Sequence, residues 1–75
     1  MEKLIEILKG IRPDIEIENK TLVDDGVLDS FDIVTLVSEL IDAYDIELSV
    51  EDILPENFNS VEAIQQLIDS KKEIE

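Results

Sequence analysis

Residues 29–44 carry the strongest helical pattern in the chain, and this pattern constrains the fold more than any other feature. At about 100° per residue, the apolar side chains fall on one arc of a helical wheel and the polar ones lie opposite. The centre of the arc holds Ile33, Leu36, Val37, Leu40 and Tyr44, with Val34 and Ile41 at its edge. An amphipathic helix of this length has to bury one face against other elements, so the chain must supply further helices or strands to cover it.

Two further amphipathic segments are helices by the same test. The first covers residues 2–9, and we expect it to stop at Gly10, because Pro13 follows closely and cannot continue a helix. The last begins behind an Asn59/Ser60 cap. Its buried stripe comprises Val61, Ala63, Ile64, Leu67 and Ile68.

The connections are less regular. Residues 12–29 have no helical period and no second strand to pair with, so they predict a long loop with Leu22, Val23 and Leu28 over the core. Residues 49–52 resemble a capping box that opens one short helical turn, ended by Pro55. The expected architecture is an all-α, four-helix bundle, with three main helices and one short helix, in a single domain over residues 1–75.

Charge restricts the partners of this domain. Twenty acidic residues against six basic ones give a formal net charge of −14. Such a surface repels nucleic-acid phosphates and anionic lipid but attracts basic patches on other proteins. The apolar fraction of 44 % argues against disorder. With no cysteine and no apolar run of about 18 residues, the sequence predicts a monomeric cytoplasmic protein without membrane insertion.

Catalytic chemistry has few candidates here. The chain contains no histidine, which excludes Ser-His-Asp catalysis and histidine-ligated metals. Ser30 has no base nearby in sequence apart from carboxylates expected to lie in water, and Lys20 is the cation nearest to it in sequence. We therefore expect no enzyme activity from this chain by itself.

The acidic residues before the second helix invite a calcium interpretation, which the spacing contradicts. An EF-hand loop needs acidic ligands at its first and third positions and a glycine at the sixth. With Gly26 at the sixth position, the first and third are Thr21 and Val23. The pattern predicts no metal site, although a weak metal buffer is a minor alternative.

Ser30 stands at the start of the second helix. Either Asp29 or Ser30 is able to cap that helix, and Phe31 projects from the polar side beside them, either into solvent or back against the loop. A hydroxyl at this point is accessible to a modifying enzyme. A phosphodiester attached to it would lie in the positive field of the helix N-terminus.

The run Asp29-Ser30-Phe31-Asp32, placed between a long loop and an acidic helix, resembles the attachment motif of the acyl carrier protein family, and the likeness extends over essentially the whole chain. The resemblance implies that Ser30 bears 4′-phosphopantetheine, transferred from coenzyme A by a phosphopantetheinyl transferase. The implied function is a stand-alone carrier of thioester-bound acyl or aminoacyl groups. Its further partners would be a cargo-loading ligase or acyltransferase and downstream enzymes. The expected docking surface comprises Asp29, Phe31, Val34, Thr35, Ser38, Ile41 and Asp42.

Two departures from the fatty-acid type are visible. Gly26 lies four residues before Ser30 instead of three, which is similar to D-alanyl and other specialised carriers. Thr35 and Ile41 occupy positions that are often acidic in fatty-acid carriers, so a dedicated set of partners is expected. The nature of the cargo stays open, as does a second class of function, an acidic adaptor that is never modified.

The same resemblance raises the question of an internal acyl pocket. Family members that sequester an acyl chain hold it between the second and last helices. Here we expect ordinary core at those positions and therefore a cargo that is short or stays outside. The residues concerned are Ile33, Leu36, Val37, Leu40, Ile64 and Leu67.

Overall fold

Four α-helices build the described part of the chain, residues 2–72 of a computed structural model. They are α1 (Glu2–Ile11), α2 (Ser30–Tyr44), α3 (Pro55–Phe58) and α4 (Val61–Lys72), with a 3₁₀ turn at Val50–Asp52. No strand occurs within these residues. The all-α bundle with three longer helices is confirmed, while residues 1 and 73–75 of the expected domain lie outside the described range.

The core lies where α1, α2 and α4 meet. α1 packs against both other long helices, and α3 packs on α4. The predicted apolar arcs face this centre, because burying them removes the largest apolar area from water. Side chains that are less than 10 % exposed are Leu4, Leu8, Ile15, Leu22, Leu28, Leu36, Leu40, Ile46, Phe58, Val61, Ile64 and Ile68.

The long loop between α1 and α2 covers the core as expected. Leu22 and Leu28 are buried beneath it, and the amide of Leu28 donates to the carbonyl of Leu22 over 3.0 Å. Gly26 closes the turn between them with φ +80°, a conformation that costs glycine little and most other residues more. This turn brings the chain to Asp29 in position to start α2.

Two helix boundaries differ from the prediction, and proline explains both. α1 runs through Gly10 to Ile11, and the amide of Arg12 still bonds to the carbonyl of Leu8 at 2.8 Å, so Pro13 is the effective stop. Pro55 begins α3 and does not end the preceding turn. A proline at the first helical position loses no hydrogen bond, since its missing N–H has no intrahelical partner there.

Asn59 has a different role from the cap that we expected. Ser60 alone caps α4, its hydroxyl accepting from the amide of Ala63 at 3.0 Å. The Asn59 side-chain oxygen instead accepts from the amides of Val23 (2.9 Å) and Asp24 (3.1 Å). The backbone carbonyl of Asn59 also accepts from the amide of Leu22 at 2.8 Å. Asn59 therefore bonds the long loop to the junction between α3 and α4.

Replacing Asn59 by alanine should lower the free energy of unfolding by about 1–2 kcal/mol, because two loop amides lose their acceptor. Hydrogen exchange should quicken at Val23 and Asp24, while the α2 amides keep their relative protection. The matched control is Asn57→Ala, whose side chain donates to the carbonyl of Asp52 and, within residues 2–72, makes no hydrogen bond to the long loop. Equal exchange at Val23 in the two variants would contradict the assignment.

Candidate functional site

The start of α2 is built by a reciprocal pair of carboxylates. The Asp29 side chain accepts from the amide of Asp32 at 2.9 Å, and the Asp32 side chain accepts from the amide of Asp29 at 3.3 Å. This capping box satisfies donors that a helix start otherwise leaves unpaired. Of the two caps that the sequence allowed, the structure selects Asp29.

Ser30 is the first residue of α2 and is exposed. Because Asp29 supplies the cap, the serine hydroxyl is not required for it; the side-chain hydrogen bonds at this helix start join Asp29, Asp32 and Arg12, and none within residues 2–72 uses the Ser30 hydroxyl. The hydroxyl is therefore an accessible oxygen at the positive end of a 15-residue helix.

Arg12 is the residue that sequence reasoning missed at this site. Its Nε donates to Asp32 at 2.8 Å, and its Nη2 lies 3.7 Å from Asp29. The hydrogen bond to Asp32, followed by the charge of that carboxylate, raises the pKa of Arg12, so its guanidinium stays charged at every ordinary pH. Lys20, the cation that we considered, instead pairs with Glu62 at 2.9 Å. No local pattern signals Arg12, because 20 residues separate it from Asp32.

The outer face of α2 carries apolar and acidic side chains together. Phe31 is 83 % exposed and Val34 67 %, which decides the open question about Phe31 in favour of solvent. α2 contains no lysine or arginine. All the predicted docking residues are exposed, and they are Asp29, Phe31, Val34, Thr35, Ser38, Ile41 and Asp42.

A second exposed apolar group lies between α2 and α3 and was not foreseen from sequence. It consists of Val50, Ile53 and Leu54, with Val50 84 % exposed. The segment is held by Asp52, which accepts from the amide of Ser49 at 3.0 Å and pairs with Lys71 of α4 at 2.9 Å. One leg of the capping box predicted at Ser49 is present, the bond from the Ser49 amide to the Asp52 side chain. The Ser49 hydroxyl donates to the same carboxylate at 3.2 Å, and the amide of Asp52 bonds to the backbone carbonyl of Ser49 at 3.0 Å.

The Asp52 contacts predict a pH dependence of stability. The Ser49 amide, and then Lys71, hold the pKa of Asp52 below its ordinary 3.8. A carboxyl with a lowered folded-state pKa stabilises the fold above its ordinary pKa, and that contribution disappears as the pH falls through the folded value. Wild type should therefore have a larger free energy of unfolding than Asp52→Asn at neutral pH, and this difference should disappear below pH 3.8.

Urea unfolding of the two proteins across this range measures the gap. Asp42→Asn removes the same formal charge from the exposed face of α2 and serves as the control. A gap for Asp52→Asn that stays constant from neutral to acid pH would argue against the prediction.

The positions considered for an acyl pocket belong to the core. Leu36, Leu40 and Ile64 are fully buried in it, and Ile33, Val37 and Leu67 pack against it while partly buried.

The acidic side chains that precede α2 bond to neighbouring polar groups: Asp24 accepts from Asn59, and Asp25 accepts from Asn19 and Thr21. Within residues 2–72 the acidic side chains form no group of three or more placed to hold a metal ion. Among the same residues, no helix combines the length and apolarity needed to cross a membrane.

Comparison of the chain with protein-family models, curated proteins and solved structures finds no match.

Proposed function

We propose that this chain is a stand-alone carrier protein that bears 4′-phosphopantetheine on Ser30 and moves thioester-bound acyl or aminoacyl groups between partner enzymes. The observation that carries the proposal is the Ser30 hydroxyl, exposed at the first position of α2 and free because Asp29 supplies the cap. The resemblance of Asp29-Ser30-Phe31-Asp32 to the carrier motif supplies the chemistry.

The residues present suit a covalently attached phosphodiester. The Ser30 oxygen forms the new O–P bond, while the phosphoanhydride bond of coenzyme A breaks and releases adenosine 3′,5′-bisphosphate. The hydroxyl proton passes to a base on the transferase, since this chain has no histidine and the carboxylates beside Ser30 are engaged in the cap. Once bound, the group supplies a thiol on a long arm, which holds cargo at a high effective concentration near each partner.

The exposed face of α2 is the proposed docking surface for those partners. Phe31 and Val34 offer a small apolar contact, and the acidic residues around them attract a basic rim on the transferase or a loading enzyme. Thr35 and Ile41 are uncharged, so this surface carries less negative charge than one with acidic residues at those positions. Partner binding would then depend less on charge alone, which favours a dedicated set of partners. The positions between α2 and α4 are occupied by core side chains, which favours cargo that is short or held outside the bundle. We further propose that the protein works in the cytoplasm.

Intact-mass measurement after incubation with coenzyme A, Mg²⁺ and a broad-specificity phosphopantetheinyl transferase tests the proposal. We expect a mass gain of one phosphopantetheine, located by peptide mapping on the peptide that contains Ser30. The chain has four other serines, at positions 38, 49, 60 and 70, as internal controls. No gain with several transferases would instead favour an unmodified acidic adaptor.

A further inference from the structure

Ser30 lies between two carboxylates that are close to each other. Asp29 and Asp32 exchange hydrogen bonds across the first turn of α2, so the negative charge of both is held in the same helical turn as Ser30. A phosphoryl group that approaches this hydroxyl is itself negative, and charge on its oxygens must be stabilised in the transition state of transfer. The capping box that frees the hydroxyl thus opposes its modification.

The positive charge of Arg12 reduces the repulsion between these carboxylates and an incoming phosphoryl group. Arg12 contacts both carboxylates, and no other ion pair within residues 2–72 involves either of them. The other cations with described partners are held elsewhere: Lys20 on Glu62, Lys71 on Asp52, and Lys3 and Lys72 over the ring of Tyr44, the last residue of α2. Arg12 is therefore the cation that this fold places at the start of α2.

The geometry of the guanidinium leaves part of it available. Nε is engaged by Asp32, and the longer 3.7 Å approach of Nη2 to Asp29 leaves room for adjustment. The side chain is 40 % exposed and borders an open depression of about 180 Å³ whose other lining residues are Asp14, Glu16, Asn19, Gly26 and Val27. Arg12 is the one cation among these lining residues, and it lies there beside two carboxylates. A guanidinium presents five N–H donors in a planar fork, so it is able to hold two carboxylates and still face an incoming anion.

We propose that Arg12 is a positioning residue for the modification of Ser30. It holds Asp29 and Asp32 in the capping box and neutralises part of their charge, so that an anionic phosphoryl donor reaches the hydroxyl. This inference rests on the proposed function, because it concerns the rate of the same modification. It assigns to this chain a part in a reaction whose catalytic groups belong to the transferase.

Steady-state kinetics of the transferase, with the carrier as the varied substrate, tests the role. The variants are Arg12→Gln, Arg12→Lys and Lys20→Gln; the last removes the same charge from the loop but leaves Asp29 and Asp32 paired. We expect Arg12→Gln to lower kcat about tenfold at low salt, the effect of one partly screened charge near the reacting group. The KM for the carrier should stay within about twofold of the Lys20→Gln value, since among the proposed docking residues only Asp29 loses a contact, the longer one of 3.7 Å.

Arg12→Lys separates charge from shape. An ammonium keeps the charge but not the fork, so kcat should recover to about threefold below wild type. Added NaCl should reduce the difference in kcat between Arg12→Gln and wild type, because salt screens the repulsion between the carboxylates and the anionic phosphoryl donor. A purely structural role would raise KM and lower the melting temperature of the carrier without this salt dependence of kcat.

The outcomes distinguish this inference from the proposed function. Modification of wild type, with equal kcat for Arg12→Gln and Lys20→Gln, overturns the role of Arg12 and leaves the carrier function intact. Failure of every transferase to modify wild type overturns both. If Arg12→Gln melts below the assay temperature, the three variants are compared at a temperature below its melting point, where a kcat equal to that of Lys20→Gln overturns the role.

Discussion

Replacing Ser30 by alanine should abolish the addition of phosphopantetheine and leave the free energy of unfolding unchanged within about 0.5 kcal/mol. The modification is lost because alanine has no oxygen to form the phosphodiester. Stability is kept because the cap of α2 comes from Asp29, whose side chain accepts from the amide of Asp32 at 2.9 Å. Alanine is also the better helix former at an exposed position, which offsets small losses.

Intact mass after transferase treatment and urea unfolding followed by circular dichroism measure the two halves of this expectation. Ser38→Ala is the matched control, since it makes the same change at another exposed position of α2 and should still be modified. A mass gain in Ser30→Ala would place the attachment elsewhere. A loss of stability above about 1 kcal/mol would show that the Ser30 hydroxyl contributes to the cap after all.

Replacing Phe58 by alanine should unfold most of the protein at room temperature. Phe58 ends α3 and is completely buried in the core. Truncation of a buried phenylalanine costs about 3–5 kcal/mol, from lost transfer free energy and from the cavity that remains. A single core in a domain of this size supplies net stability of about 3–5 kcal/mol, so the loss matches the whole reserve.

The chain holds its own control for this experiment. It contains two phenylalanines, and the other, Phe31, is 83 % exposed. Phe31→Ala should change the free energy of unfolding by less than about 0.5 kcal/mol. Circular dichroism with urea titration of both variants gives the comparison. A Phe58→Ala protein that unfolds at the wild-type midpoint would mean that α3 contributes little to the core.

Much of this fold follows from local patterns. The arc on α2 predicted that Leu36 and Leu40 face inward, and both are fully buried. The polar wheel position of Phe31 allowed the exposure that the structure shows. Asp29 was one of two possible caps, and the buried leucines at 22 and 28 were expected to lie over the core. These features depend on helical periodicity and on hydrogen bonds within a few residues, both of which are legible in a sequence.

Other features depended on partners far away in the chain. Asn59 has chemistry suited to a helix cap, but the long loop lies close enough for its side chain to bind the amides of Val23 and Asp24. Pro55 suited either the end of one turn or the start of another, and the packing of α3 on α4 selected the start. In each case the residue had two locally acceptable roles, and contacts with distant parts of the chain selected one of them.

The amino-acid sequence by itself determined the three long helices, the faces that they bury and the exposed serine at the start of α2. Only the tertiary structure decided which cation pairs with Asp29 and Asp32, the carboxylates next to that serine. Arg12 reaches Asp29 and Asp32 because α1 packs beside α2 and ends near its first turn. Periodicity encodes which side of a helix is buried, whereas an ion pair between residues 20 apart depends on how the helices are arranged.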